Sequence, residues 1–445
     1  MFSLFNELRN REITGSNRGI RALLKERFDK NILSDNYIPK KLEFENNISN
    51  LAHNDDYLAL INGHDKLELF SISSTTQLWS SPFRHLLSEN TSKVEKLMVS
   101  PSGLVLLVTT PKSFRANFIY QILVFLGGKH VGNFMINMPF YLDSFKIIDN
   151  RIFGISIEHR KFYEWDMSGK IVQSIFMENL INSIGLKIAS DEKQIFVTAT
   201  QKGRAKNPPI FIFDLDDNIS HELELNQSEF DADELKIDSL LLTDNYLVIG
   251  SHQQKLTPRY DFTIECDPTI TIIERATWKV VGQYHPDLYE GEADGSVKHL
   301  FGNNYFIVFL NYLGCRSGDY LYCIDLSNHM ISKIKRVPEC IDSGNLSIHL
   351  DGSILNICYP GGFWNSYSAY AERCRIDLKN HQEETQEVKG VRYRRFPWCS
   401  AFFSSNTLIV PNRFSQKNYL YFERFNHLAD SGDDIDKSDY KVRLS

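Results

Sequence analysis

A polar turn followed by a strongly apolar strand recurs eight times along this chain, and that recurrence restricts the fold more than any other feature. The turns centre on Asp56, Gly103, Asn150, Glu192, Asn245, Asn304, Gly352 and Asn406. They lie about 40 to 60 residues apart, a period on the scale of a propeller blade. Asn, Asp and Gly stand where a two-residue hairpin turn requires a left-handed backbone. Each unit then carries a second signature, a strand that stops at another polar turn. Leu67–Ile72, Gln121–Phe125, Phe211–Asp216, Leu321–Leu326 and Tyr419–Glu423 are examples. The clearest is Phe162-Tyr163-Glu164-Trp165-Asp166-Met167-Ser168-Gly169-Lys170, an aromatic strand closed by residues that cap a turn.

The unit is therefore read as a four-stranded antiparallel meander, with strands a to d. One such sheet cannot bury both of its faces; standing the sheets around an axis buries each against the next and leaves only short edges. A β-sandwich pair or a solenoid is the competing arrangement. The expected fold is all-β, a propeller of eight four-stranded blades. Seven blades result if the first or last unit is a partial blade completed by the other terminus.

Trp165-Asp166 followed by Ser168-Gly169-Lys170 resembles the end of a WD repeat, and Ser100-Pro101-Ser102-Gly103-Leu104-Val105 resembles the a–b turn of that family and of TolB-like blades. The resemblance is one of pattern over about residues 41–425, within an expected propeller domain of residues 41–427. It departs from the family in two ways: no unit has the Gly-His dipeptide in its expected place, and one unit alone has Trp-Asp. What the resemblance implies is a WD-like propeller used for recognition.

On either side of the ring the character differs. Residues 1–40 are expected to form a helical N-terminal extension, in which Ile20, Leu23, Leu24 and Phe28 make an apolar stripe flanked by Arg18, Arg21, Lys25 and Arg27. Such a stripe packs on the main domain or docks a second partner. Residues 428–445, with Asp430, Asp433, Asp434, Asp436 and Asp439, read as an acidic, solvated tail.

The net charge of −7 argues against bulk attraction to nucleic acid or anionic membrane. Seven cysteines, all in the second half and none in a CxxC pair, argue against a disulfide framework or a zinc site and for a reducing compartment. With no signal-like apolar core at the N-terminus and no long apolar run, the expected location is cytoplasmic.

No HExxH, GxSxG, Walker or EF-hand pattern occurs, so no catalytic residue, metal ligand or cofactor is assigned. The informative residues fall in the b–c turns, which a propeller brings to one end. These are Lys112 and Arg115 in the second unit, Arg160 in the third, and Lys202, Arg204 and Lys206 in the fourth. Lys255 and Arg259 follow in the fifth, Arg413 and Lys417 in the eighth, while the seventh offers Trp364 and Tyr367. Cations and aromatics on one rim suit an acidic peptide, a phosphate-bearing ligand or RNA. The neighbouring d–a stretches are acidic, with Glu229, Asp231 and Asp233 in one and Glu290, Glu292 and Asp294 in another. That mixture favours a protein partner. A second basic cluster, Arg392-Tyr393-Arg394-Arg395-Phe396, tempts comparison with phosphoinositide-binding propellers, but Phe396 stands where they carry glycine.

The expected function is a non-catalytic interaction scaffold or adaptor. The alternatives are a propeller hydrolase or lyase working at the central channel, which needs carboxylates, Tyr or Arg converging on the axis, and an anionic-ligand module, which predicts steep salt dependence.

Overall fold

The computed structural model describes residues 40 to 424 other than 45, 47, 64, 88–90, 112–118, 138–143, 149, 157, 178–182, 192, 202–209, 216–219, 224–233, 257–262, 287–295, 313–318, 338–346, 362–368, 381, 394–401, 405–406 and 415–416. The expected N-terminal helix, the acidic tail and the Arg394-Arg395 cluster lie outside the described residues.

The described residues form thirty-two strands in eight four-stranded sheets. β1 (Lys40–Phe44) comes first. The first sheet is β2 (Ile48–His53), β3 (Tyr57–Asn62), β4 (Lys66–Ser71) and β5 (Thr76–Pro82). The second is β6 (Thr91–Val99), β7 (Val105–Pro111), β8 (Ile119–Leu126) and β9 (Lys129–Asn137). The third is β10 (Lys146–Ile148), β11 (Arg151–Ser156), β12 (Lys161–Trp165) and β13 (Ile171–Phe176). The fourth is β14 (Ser183–Ser190), β15 (Gln194–Gln201), β16 (Ile210–Asp214) and β17 (Ser220–Leu223). The fifth is β18 (Glu234–Leu242), β19 (Tyr246–Leu256), β20 (Thr263–Glu274) and β21 (Lys279–Tyr284). The sixth is β22 (Ser296–Gly302), β23 (Phe306–Tyr312), β24 (Asp319–Asp325) and β25 (Met330–Val337). The seventh is β26 (Ser347–Asp351), β27 (Ile354–Gly361), β28 (Ala369–Asp377) and β29 (Gln382–Tyr393). The eighth joins β30 (Phe402–Ser404), β31 (Thr407–Phe414) and β32 (Lys417–Arg424) to β1.

Among the described residues the sheets number eight, the first of the two expected counts. The idea of a shared terminal blade holds within the eight: β1, from the start of the ring, pairs antiparallel with β32 from Lys40↔Phe422 to Phe44↔Asn418. It takes the outer place that a d strand takes elsewhere, and so closes the circle.

Local chemistry explains the turns. At the a–b corners a side-chain oxygen caps the start of the next strand. Asn54 Oδ1 accepts from the N–H of Asp56 and Tyr57 at 2.9 and 2.8 Å, Asp191 Oδ1 from Lys193 and Gln194 at 2.8 and 2.7 Å, and Asn303 Oδ1 from Tyr305 and Phe306 at 2.8 and 2.9 Å. At the c–d corner after β12, Asp166 Oδ1 accepts from the Ser168 hydroxyl at 2.6 Å and from the N–H of Ser168 and Lys170. The Ser168 hydroxyl first, then the Lys170 N–H, hold the Asp166 carboxyl below its usual range.

The core lies between sheets. Leu58, Ala59, Leu60 and Ile61 are all buried in β3, because a b strand has a neighbouring sheet on both sides. Leu67, Leu69, Val105, Leu107, Leu123 and Phe125 form one such cluster between the first and second sheets. Phe153, Phe162, Val197, Phe211 and Phe213 form another between the third and fourth, with Phe162 and Phe213 stacked at 4.3 Å. The outer strands differ: Ile171, Val172 and Phe176 of β13 are exposed.

Polar links between blades run along the end that carries the a–b and c–d turns. Arg151 grips Glu164 with two hydrogen bonds at 2.7 and 2.9 Å and donates to the Leu215 carbonyl of the next sheet at 3.0 Å. Arg275 reaches back to Gln194 Oε1 and Asp191 Oδ2 at 2.8 and 2.6 Å. Asn304 donates to Asp244, and Asn303 to the Gly352 carbonyl. These bonds tie the corners of successive sheets into a belt.

Candidate interaction face

Antiparallel order sends the a–b and c–d turns to one end of the ring and the b–c and d–a connections to the other. The two ends are unequal. The a–b corners are short stretches such as 54–56, 243–245 and 303–305. The connections at the opposite end include 112–118, 202–209 and 362–368 between b and c strands, and 224–233, 285–295 and 338–346 between d and a strands. The strand ends at these junctions are thus joined by more residues than those at the a–b corners.

Where these connections are described, each is pinned. Phe83 follows β5, is 1% exposed, and donates its N–H to the Asp65 carbonyl of the b–c turn at 2.9 Å. Met177 follows β13, is also 1% exposed, and donates to the Arg160 carbonyl at 2.8 Å. Phe145 precedes β10 fully buried against Tyr120 and Trp165. Gln121, buried in β8, donates to both the Leu86 carbonyl and Asn133 Oδ1, at 2.8 and 2.9 Å. After β5 and β13 one apolar residue thus turns inward and anchors the connection.

Arg160 is where the sequence places it, in the β11–β12 turn, with φ at +52°. Three other expected turn residues sit on strands instead. Lys255 is paired with Ile264 in the β19–β20 ladder, Arg413 with Asn418, and Lys417 with Phe414. The strands run further than local polarity suggests, because ladder pairing continues past the last apolar residue. All four positions belong to the connection-bearing end, on the third, fifth and eighth sheets. Lys112, Arg115, Lys202, Arg204, Lys206, Arg259, Trp364 and Tyr367 lie outside the described residues.

Chemistry gathers in a second place. His53 and Asp55 stand at the end of β2, and His349 and Asp351 in β26. Burial lowers both imidazoles from their usual value. The Asp55 carboxylate opposes this at His53, and Asp351 and then Asp55 oppose it at His349. Asp55 thus acts on two histidines, one on the first sheet and one on the seventh. An imidazole with a lowered pKa in the folded chain takes its proton first in the unfolded chain. The stability it carries is present above the ordinary value of about 6.5 and is lost as pH falls through the lowered folded value. The thermal midpoint is expected to drop between about pH 7.5 and about pH 5.5, and to drop less in a His53→Asn/His349→Asn variant. Equal slopes in a pH series of melting curves would exclude these two groups as the cause.

Deeper in the wall, His252, 2% exposed, bonds Asp238 through Nδ1 at 2.7 Å, and the same carboxylate oxygen accepts the Val297 N–H at 3.1 Å. The carboxylate is engaged by a backbone N–H of the neighbouring sheet, so the pair acts as a strut between the fifth and sixth sheets. Cys323 is held as a thiol, pushed up to about 12 by burial and by Asp325. Among the described residues no three His, Cys, Asp or Glu side chains are grouped to hold a metal ion, and no helix is long and apolar enough to cross a membrane.

Sequence reasoning passed over Glu68. It sits within Leu67-Glu68-Leu69-Phe70, which reads as an ordinary half-buried strand. In the fold it is 7% exposed and faces the seam beside β1. The signal was a carboxylate at a position of the repeat that is apolar in most units, visible only once the strands are aligned by their ladders.

No protein-family model matches the chain, and no curated protein matches it in sequence. Solved structures do match in shape. BamB from Moraxella catarrhalis is 11% identical, with a TM-score of 0.48 over 87% of this chain and 99% of that one. The C-terminal WD40 domain of Sif2 is 12% identical, with a TM-score of 0.49 over 87% and 99%. The WD40 domain of SCAP from fission yeast is 7% identical, with a TM-score of 0.46 over 86% and 97%. The fold rests on the strand order of this chain itself, which is that of a β-propeller built of four-stranded antiparallel blades.

Proposed function

We propose that this chain is a non-catalytic recognition module, a scaffold or adaptor in a reducing, cytoplasmic setting, and that it engages a partner protein through the end bearing the b–c and d–a connections. The observation that supports this is the inequality of the two ends: short, mutually bonded corners at one, long and varied connections at the other. The recognition face takes Lys112, Arg115, Arg160, Lys202, Arg204, Lys206, Lys255, Arg259, Trp364, Tyr367, Arg413 and Lys417 as its cations and aromatics. Acidic stretches on the same end make the field mixed, which suits a protein better than a nucleic acid. Residues 1–40 offer a second docking element.

The test is charge reversal of Lys202, Arg204 and Lys206 to Glu together. Recovery of at least one co-purifying partner is expected to fall by about tenfold or more, while the thermal midpoint stays within about 1 °C of the parent. An unchanged set of partners at unchanged yield rejects this face. Binding that collapses between low and moderate salt would instead favour an anionic ligand.

A further inference from the structure

The seam where β1 closes the ring holds a cleft of about 460 Å³ between β1 and the first sheet. Leu42 and Phe44 of β1 form one wall and Phe70 of β4 the other, with Phe44 and Phe70 edge to face at 6.0 Å. Asn62, Lys66, Glu68 and Gln77 also line it.

Glu68 does not belong to the pattern of the repeat. It pairs with Leu60. The ladder-equivalent residues of the next six sheets are Leu123, Tyr163, Phe211, Thr271, Tyr322 and Cys374, all buried between sheets. Of these seven sheets the first alone puts an ionisable carboxyl there, at a cost in desolvation that raises its pKa against the opposing effects of the Asn62 hydrogen bond and the Lys66 charge. A repeat that breaks its own packing rule at one unit marks a site rather than a core.

The polar groups are also incompletely matched. Asn62 Nδ2 donates to Glu68 Oε1 at 3.2 Å, and Asn62 Oδ1 is buried with no hydrogen-bond partner among the described residues. The Glu68 carboxylate, held by the Asn62 amide, therefore lines the cleft beside an aromatic wall and calls for further donors there. A guanidinium meets that demand: it carries several N–H donors in a fixed plane, is more weakly hydrated than an ammonium, and rests well on aromatic faces. Glu43 and Lys66 also border the cleft.

We propose that this seam cleft binds the side chain of an arginine presented by a partner protein, its guanidinium on the Glu68 carboxylate and its stem against Phe44 and Phe70. The cleft opens beside the outer strand β1 rather than in the long connections, so the two sites fail or succeed separately.

The experiment is calorimetric titration of the full chain with N-acetyl-arginine amide. Saturable binding with Kd on the order of 1 mM is expected for a ligand of this size. Glu68→Gln, which keeps an acceptor for Asn62, is expected to weaken it about tenfold, and N-acetyl-citrulline amide, which lacks the charge, to bind the parent about tenfold less tightly. Glu68→Leu restores an apolar residue to the repeat and is expected to abolish binding while raising the thermal midpoint, so that loss of binding cannot be loss of fold. The proposal is overturned if the parent shows no saturable heat up to about 10 mM ligand. It is also overturned if citrulline or N-acetyl-lysine amide binds as well as arginine, or if Glu68→Leu binds undiminished.

Discussion

Alanine at Gly132 is expected to cost the ring about 3 kcal/mol or more, against about 1 kcal/mol for alanine at Gly127. Both are glycines of the second sheet, in or beside β9, but they meet different surroundings. A Cβ built on Gly127 finds nothing within 4 Å, so that change carries only the penalty of its left-handed φ of +57°. A Cβ on Gly132 would overlap the Met167 carbonyl oxygen, a backbone atom of the turn after β12. That turn cannot easily retreat. Asp166 holds it through three hydrogen bonds, Gly169 N–H closes it on the Asp166 carbonyl at 3.0 Å, and Gly169, at φ +85°, is covered by Phe134 of β9. The second and third sheets thus interlock through two glycines, one on each. Denaturant midpoints of the two single variants measure the difference. Equal midpoints would mean that the backbones do not approach this closely.

This interlock also shows which features are local in origin. Asp166, Ser168 and Gly169 are legible as a turn because a carboxylate two residues before an N–H caps it whatever the rest of the chain does. That Gly132, more than thirty residues earlier, lies beneath the same turn is a fact of blade stacking and leaves no local trace. The same division runs through the molecule. Asn54, Asp191 and Asn303 announce their corners, and the apolar runs of β3, β7 and β23 announce strands buried on both sides. The blade number was not legible between seven and eight, because it turns on β1. Its five residues, Lys-Lys-Leu-Glu-Phe, pair with a strand at the far end of the chain. For the candidate sites the limit is similar. Basic residues can be counted in a sequence, but Lys255, Arg413 and Lys417 extend their ladders where polarity suggested turns. Glu68 looked unremarkable until its ladder neighbours in six other sheets were set beside it.

Removal of β1 is expected to have the largest effect of any short deletion. Without it the eighth sheet keeps three strands, β32 becomes an open edge of unpaired N–H and C=O groups, and the seam loses Phe44, 7% exposed, from the cluster that contains Ile48, Leu58, Leu60, Phe70, Ile72 and Ile409. Loss of a buried Phe alone costs about 3 to 5 kcal/mol, and the antiparallel ladder and Leu42 add to it. A ring also responds differently from an open array. Each sheet leans on two neighbours, so an unclosed seam exposes a face on both sides of the gap. A chain lacking residues 1–44 is therefore expected to melt about 10 °C or more below one lacking residues 1–39, and to aggregate through the β32 edge. Because both chains lack residues 1–39, the difference reports β1 itself. A permuted chain gives the decisive comparison. Residues 40–46, moved by a short glycine linker to follow β32, would enter the eighth sheet as d follows c in the other seven. Recovery of most of the lost midpoint would show that closure depends on the pairing of Lys40–Phe44 with Asn418–Phe422, not on which end of the chain supplies the strand. A permuted chain no more stable than the truncated one, or a truncated chain as stable as its longer counterpart, would remove β1 as the closing element, and the seam cleft beside Glu68 with it.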